Sequence, residues 1–180
     1  MNLIHSIIYK FERKNVLEKK SNHQQKLNIR AAELADVPVI LTLIKELAVY
    51  EKLTDHVVTN EDTIKETLFG KKAYAEALLA IWEGRPAGIV IFFHNYSTFL
   101  GKPGFYIEDL YVKESYRGLG IGKELLLECV RLARERNCGR MEFLVLNWNP
   151  ARKFYEKLGA YPLEEWTVYR LDKKAMDRLI

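Results

Sequence analysis

The chain has 180 residues, 48% apolar and 29% charged, a size and composition typical of one soluble globular domain. No apolar run approaches the roughly 18 residues of a membrane-spanning helix, which argues against a membrane protein. The net charge of +4 is concentrated in residues 1–30, which hold seven Lys or Arg and two Asp or Glu. The remainder is close to neutral, whereas a nucleic-acid-binding fold is expected to carry a basic face.

Residues 1–26 are predicted to be an N-terminal extension, in front of a domain at 27–180. Four apolar residues give the extension a short amphipathic stretch: Ile4, Ile7, Ile8 and Phe11. It lacks the longer apolar region and the small-residue cleavage site of a signal peptide. An appended helix, a disordered arm and a start site assigned too early all fit it, and a targeting role is less favoured.

The first elements of the domain are predicted as a strand and two helices. Leu27-Asn28-Ile29-Arg30 alternates apolar and polar residues, as a short strand does. Asp36 is placed to cap a helix that ends near Tyr50-Glu51. A second helix is predicted from Thr59 or Asn60 to about Phe69, where Gly70 ends it.

The rest of the domain alternates strands with two more helices. A hairpin signature, Glu83-Gly84-Arg85-Pro86, separates two apolar runs. The predicted elements are strands at 74–82, 87–96 and 105–112, a helix at 120–136, a strand at 141–146, a helix opened by Asn149-Pro150 and closed by Gly159, and a last strand at Thr167–Leu171. This order predicts one α/β (α+β) domain, a mixed sheet with helices on its faces and a βαβ crossover over 105–146.

The two cysteines, Cys129 and Cys138, are too few for a disulfide framework, and no Cys/His spacing indicates zinc. Cys129 falls on the apolar stripe of the helix at 120–136, so it is interpreted as a small core residue. A reducing cytoplasm is the expected compartment.

Three alternating glycines lie between a predicted strand and a predicted helix, in Arg117-Gly118-Leu119-Gly120-Ile121-Gly122. The Rossmann fingerprint does not fit, because its third glycine would be at position 123, which is Lys. The Walker A loop does not fit either, because Lys123 is followed by Glu124 rather than Ser or Thr. Glycine torsions, free amides of the helix start and Arg117 still favour a phosphate ligand. A plain glycine-rich turn is the alternative.

These residues, from Tyr116 to Gly122, resemble the pyrophosphate loop of the GNAT acetyltransferases, whose pattern is Arg/Gln-x-x-Gly-x-Gly/Ala. The stretch from Asn149-Pro150-Ala151-Arg152 to Gly159 resembles the second signature of that family. The resemblance covers about residues 27–171. It is closest to the spermidine/spermine (diamine) and thialysine N-acetyltransferases, on Ile44–Ala48, Tyr50–Leu53, Tyr106–Val112, Phe143-Leu144-Val145 and Trp148-Asn149.

The resemblance implies a single GNAT-type domain with a twisted, mostly antiparallel sheet, and acetyl-CoA as co-substrate without a metal. The residues that it assigns to the cofactor are Leu110, Tyr111, Val112, Arg117, Gly118, Leu119, Gly120, Ile121, Gly122, Asn149, Arg152 and Lys157. Backbone N–H groups of Tyr111 or Val112 are expected to hold the thioester carbonyl.

Acetyl transfer to an alkyl amine requires a base, because such an amine has a pKa near ~10.4 and is protonated at neutral pH. Glu108 is the candidate base by resemblance. Asp109 is adjacent, and on a regular strand only one of the two should face the site. Tyr155 is the candidate acid that protonates the departing thiolate. The alternative for Glu108 and Asp109 is that both are ordinary charged residues at a strand edge. The alternative for Tyr155 is that its ring serves only in packing.

The acceptor is expected to be a small cationic molecule, with Tyr50, Glu51, Glu108, Glu165 and Trp166 as the contacts implied by resemblance. A protein N-acetyltransferase and a non-catalytic acetyl-CoA-binding module remain alternative functions. No nucleic-acid or membrane partner is expected. Relatives of this kind are commonly homodimers, and the apolar strand at 87–96 would permit a shared interface.

Overall fold

The structure, a computed structural model, describes residues 26–180. Its strands and helices follow one another in this order: β1 (Leu27–Ala31), α1 (Val37–Glu51), α2 (Glu61–Phe69), β2 (Glu76–Trp82), β3 (Arg85–Ser97), β4 (Lys102–Val112), α3 (Ile121–Glu135), β5 (Arg140–Phe143), α4 (Ala151–Glu156) and α5 (Lys173–Met176). The extension predicted over residues 1–26 lies outside this range, except for Lys26. No helix within the range is long and apolar enough to cross a membrane.

The chain divides into two compact units, with the boundary between Leu144 and Val145. The first unit contains the sheet and α1 to α3, and the second contains α4 and α5. The sheet has the order β1-β2-β3-β4-β5. The first three pairings are antiparallel and the pairing of β4 with β5 is parallel. The mixed, mostly antiparallel sheet and the strand-helix-strand connection through α3 are therefore confirmed.

The β2–β3 hairpin turns where its sequence predicts. Glu83 and Gly84 both have positive φ, at 47° and 79°. Two consecutive residues of positive φ match the right-handed twist of the paired strands, which is why glycine is favoured in such two-residue turns. The hairpin places β3, the longest strand, in the middle of the sheet.

The core lies on both faces of the sheet. On one face, Ile40, Leu43 and Leu47 of α1 pack with Ile89 and Ile91 of β3, among other buried side chains. The helical spacing of the α1 residues explains this packing, since it puts them on one side of the helix. On the other face α3 buries Leu125 and Cys129, both fully. The burial of Cys129 confirms its interpretation as a small core residue, and it raises the pKa of the thiol to about 12.

Helix α2 begins as its sequence predicts and α1 does not. Asn60 Oδ1 accepts a hydrogen bond from Thr63 N at 2.9 Å, as an N-cap should. Asp36 precedes α1, but its carboxylate binds the Arg30 guanidinium at 2.6 and 2.8 Å and accepts from Glu33 N at 2.8 Å. The side-chain cap expected from Asp36 is therefore wrong, because a charged partner on β1 takes the carboxylate.

Two expectations about strands need correction. Thr167–Leu171 forms no strand and pairs with no other segment of residues 26–180; Val168, Tyr169 and Leu171 are exposed. An alternating pattern produces a strand only where a neighbouring edge supplies hydrogen bonds. The apolar side chains of β3 from Ile89 to Phe92 are buried inside the first unit, so they do not support a shared interface.

Candidate active site

The glycine-rich loop joins the end of β4 to the start of α3. Gly118 and Gly120 have φ angles of 79° and 80°, in the left-handed region that side chains avoid. A Cβ at Gly118 would meet nothing within 4 Å, so glycine is required there by the backbone torsion alone. Gly120 is the N-cap residue of α3. The two glycines therefore form the tight turn that starts the helix.

The start of α3 fits an anion. Gly120 O accepts from Lys123 N at 3.0 Å and from Glu124 N at 3.1 Å, so helical hydrogen bonding begins at Lys123. The amides of Ile121 and Gly122 precede it, and the first-turn amides of a helix have no intrahelical acceptor. They point along the positive end of the helix dipole, an arrangement that binds phosphate groups. The loop residues thus suit the pyrophosphate of a coenzyme.

Arg117 makes contacts that its sequence does not reveal. Its guanidinium carbon lies 4.2 Å from the ring centroid of Tyr50 and 6.0 Å from that of Tyr111. Its Nε donates to Val112 O at 3.2 Å. The side chain thus lies between the end of α1 and β4.

Strand β4 is irregular at the candidate base. Ile91 of β3 pairs with Asp109, whereas the next residue, Phe92, pairs with Ile107. Glu108 is therefore an extra residue, a β-bulge, and the alternation of side chains is reset there. The expectation that only one of Glu108 and Asp109 faces the site applies to a regular strand, and this strand is not regular.

Asp109 lies in the most perturbed environment of the site. Burial, with the neighbouring carboxylates of Glu108 and Glu51, raises the pKa of Asp109 to about 6. Burial also raises the pKa of Glu51, the last residue of α1. Glu108 itself is exposed. The first unit thus brings three carboxylates together, from the end of α1 and from the bulge. Asp109 is the residue whose importance the sequence did not reveal.

One edge of β4 is open beside these carboxylates. Within the described range, β5 pairs with β4 only over Gly104–Ile107. Residues 109–112 therefore have ladder partners on the β3 side alone, and the bulged Glu108 has none on either side. Leu110 and Val112 lie beside Gly122, since a Cβ built there would be 3.8 Å from Leu110 Cδ2 and 3.6 Å from Val112 Cγ2. Backbone groups along this edge are available to a ligand that also reaches the start of α3.

The second unit carries the remaining predicted residues. Asn149 Oδ1 accepts from the N–H of Ala151, the first residue of α4, at 2.9 Å, although the N-cap residue of the helix is Pro150. Tyr155 is half-buried, with its ring at 5.1 Å and 61° to that of Phe154. Arg152 Nη1 donates to Asn147 O at 3.4 Å. Lys157, Glu165 and Trp166 are exposed. The participation of these residues in one site with Glu108 stays a prediction.

No group of three or more His, Cys, Asp or Glu side chains in residues 26–180 is arranged to hold a metal ion. The carboxylates of Glu51, Glu108 and Asp109 instead form an acidic cluster in which one member binds its proton near pH 6. Such a cluster can attract an organic cation and accept a proton from it.

Known proteins match the chain over most of its length. Residues 43–160 match the model of the acetyltransferase (GNAT) family. The chain is 36% identical to thialysine N-epsilon-acetyltransferase of Bos taurus, over 84% of this chain and 95% of that protein. It is 31% identical to L-ornithine N5-acetyltransferase of Arabidopsis thaliana, over 88% of this chain and 90% of that protein.

The fold has solved counterparts as well. An integron cassette protein from the mobile metagenome of V. cholerae aligns with a TM-score of 0.73 and 22% identity, covering 86% of this chain and 97% of that one. At that identity the likeness concerns the fold alone. With the family model and the two enzymes above, it leads to one conclusion: the chain belongs to the GNAT acetyltransferase family and is an N-acetyltransferase.

Proposed function

We propose that this N-acetyltransferase moves the acetyl group of acetyl-CoA to a primary amine of a small cationic molecule, a polyamine or a thialysine-like amino acid. The observation that carries the proposal is the carboxylate cluster formed by Glu51, at the end of α1, with Glu108 and Asp109, on the strand that leads into the glycine loop. Carboxylates at low dielectric favour a cationic ligand. The similar enzymes from Bos taurus and Arabidopsis thaliana are named for thialysine and ornithine, which are cationic amino acids.

The loop and the start of α3 would hold the pyrophosphate through backbone amides near Gly120 and Gly122. Acetyl-CoA supplies a thioester whose carbonyl carbon accepts the amine. The amide of Val112 would hold the carbonyl oxygen at the open edge of β4. Lys113 N donates to Ala87 O, and the alternation of the ladder therefore turns the Tyr111 amide toward β3. Asn149, Arg152 and Lys157 remain proposed cofactor contacts of the second unit.

The amine must lose a proton before it attacks. We assign this step to Asp109, because a carboxylate with a pKa of about 6 is ionised at neutral pH and still holds a proton better than an ordinary one. Glu108, the base implied by resemblance, is exposed and would bind the incoming ammonium group with Glu51. Trp166 and Glu165 remain proposed amine contacts.

Tyr155 would protonate the departing thiolate. Tyr155→Phe is expected to lower kcat by about tenfold, a modest loss because a thiol with a pKa near ~8.5 departs partly unaided. The measurement is kcat at saturating amine and acetyl-CoA, with CoA affinity as the check that the fold is intact. A kcat within about twofold of the unaltered enzyme would remove Tyr155 from the proposed chemistry.

A panel assay of thiol release tests the function as a whole. The unaltered protein is offered acetyl-CoA with spermidine, putrescine, thialysine and a histone peptide. Release with one or more of the small amines, and little with the peptide, is the expected result. Release with the peptide alone would favour a protein N-acetyltransferase. CoA binding without any release would favour a non-catalytic acetyl-CoA-binding module.

A homodimer and a cytoplasmic location stay predictions.

A further inference from the structure

An ion pair and a cation–π contact are among the interactions between helix α1 and the connection between β4 and α3. Glu46 and Lys113 form an ion pair, with Oε1 and Nζ 3.2 Å apart. One helical turn later, the Arg117 guanidinium packs over the ring of Tyr50 at 4.2 Å. The next residue after Tyr50 is Glu51, a member of the carboxylate cluster. The end of the helix that carries this carboxylate is therefore held by a residue of the glycine loop.

The two contacts differ in kind. The Glu46 and Lys113 side chains are 36% and 27% exposed, and ion pairs at such exposure are screened by solvent and contribute little. Arg117 is held on several sides at once, by the Tyr50 ring, the more distant Tyr111 ring and Val112 O. A planar guanidinium can stack on a ring and donate along its edge together, which a lysine ammonium cannot do.

We infer that Arg117 is a positioning residue for the amine: through Tyr50 it fixes the end of α1, and so holds Glu51 beside Asp109. This inference rests on the function proposed above. Pyrophosphate binding is then left to the backbone of the loop, and the Arg117 side chain serves the amine side of the reaction. Small displacements of a charged group in a binding site change affinity and rate strongly.

The experiment compares Arg117→Lys, Tyr50→Leu and the double variant by calorimetry. One titration gives the Kd of CoA, and a second gives the Kd of spermidine, putrescine or thialysine for the protein saturated with CoA. Each single variant is expected to weaken amine binding about three- to fivefold, within the range for a lost cation–π contact at an exposed side chain. The double variant should be no weaker than either single one, because both remove the same contact. The Kd of CoA should stay within about twofold.

Lys113→Gln is the matched control, because it removes an ion pair between the same two elements. This variant should leave the Kd of CoA and the Kd of the amine within about twofold of their values in the unaltered protein. Arg117→Lys with weakened CoA binding and unchanged amine binding would overturn the inference and make Arg117 a phosphate ligand. A double variant whose effect is the product of the single effects would also overturn it. An unaltered protein that binds CoA but none of the amines contradicts the proposed function itself, and the inference with it.

Discussion

Asp109→Asn is expected to lower kcat/KM for the amine by about 100- to 1,000-fold at about pH 8, the range for loss of a general base. Asparagine keeps the size and hydrogen-bonding capacity of the side chain but accepts no proton. The measurement is the initial rate of thiol release over pH, with the best amine of the panel. Glu108→Gln serves as the matched variant on the neighbouring residue, and its main effect should be on KM for the amine.

The pH profile identifies the group that titrates. With a pKa of about 6, Asp109 is protonated below that pH and cannot accept the amine proton. The kcat/KM of the unaltered enzyme should therefore rise tenfold per pH unit up to about pH 6 before it bends. Asp109→Asn should lack the bend near pH 6, whereas Glu108→Gln should retain a bend, moved to lower pH because one of the charges that raise the pKa of Asp109 is removed. A bend that disappears in Glu108→Gln and persists in Asp109→Asn would move the base to Glu108.

The same carboxylate affects stability with a predictable sign. Its pKa is about 6 in the folded protein, against 3.8 for an ordinary aspartate, so the folded state binds the proton more tightly. Its stabilising contribution is fully present below about pH 4 and is lost as pH rises through about 6. At neutral pH the buried charge then costs about 2–3 kcal/mol. Asp109→Asn should raise the melting temperature at about pH 8 and lose that advantage near pH 4.

Asp109→Asn is thus expected to lose activity and gain stability at about pH 8. This combination distinguishes a functional carboxylate, whose buried charge destabilises the fold, from a structural one. If Asp109 were held by stabilising partners, replacing it would lower the melting temperature at neutral pH. Differential scanning calorimetry of both proteins at the two pH values makes the comparison. A lower melting temperature for Asp109→Asn at about pH 8 would contradict the assigned environment.

The local elements of this chain follow from local sequence. Helix α2 begins at its Asn60 cap, and the β2–β3 turn forms at Glu83-Gly84. Each depends on a few residues that are adjacent in the chain, so the pattern is sufficient. The glycine loop is similar: positive φ at Gly118 and Gly120 is a local requirement that glycine meets.

The features that were not predicted depend on residues far apart in sequence. Nothing in Ile107-Glu108-Asp109-Leu110 indicates a bulge, because the extra residue exists only relative to the register of β3. The pKa of Asp109 depends on Glu51, which comes from another helix. The same holds for Arg117, whose partner Tyr50 lies 67 positions earlier in the chain. Sequence patterns therefore identified the loop, and the fold was needed to assign the charges around it.

Gly122→Ala is the second variant with a large expected effect. It should weaken CoA binding and slightly increase the stability of the fold. A Cβ at Gly122 would lie 3.6 Å from Val112 Cγ2 and 3.8 Å from Leu110 Cδ2, which is ordinary van der Waals contact. The position is inside the first turn of α3, where alanine is favoured over glycine by about 0.5–1 kcal/mol. The fold should therefore accept the methyl group, and the melting temperature should rise slightly.

CoA binding should nevertheless weaken by about 30- to 100-fold, because the methyl group stands beside the amides that a phosphate must approach closely. Calorimetric titration with CoA measures the change. Gly84→Ala, in the hairpin turn, is the control: its φ is positive, unlike that of Gly122, and its surroundings are open, so it carries backbone strain without a ligand. It should lower the melting temperature and leave the Kd of CoA unchanged.

A truncated acetyl donor then locates the effect. S-acetyl-N-acetylcysteamine carries the same thioester but no pyrophosphate, so its transfer rate should be the same in Gly122→Ala and in the unaltered enzyme. Equal losses with both donors would mean that the methyl group disturbs the reacting end rather than the loop. An unchanged Kd of CoA would show that glycine is not needed there for the ligand. The pyrophosphate would then have to bind elsewhere, since the loop is assigned as its site because glycine lets a phosphate come close to the backbone amides.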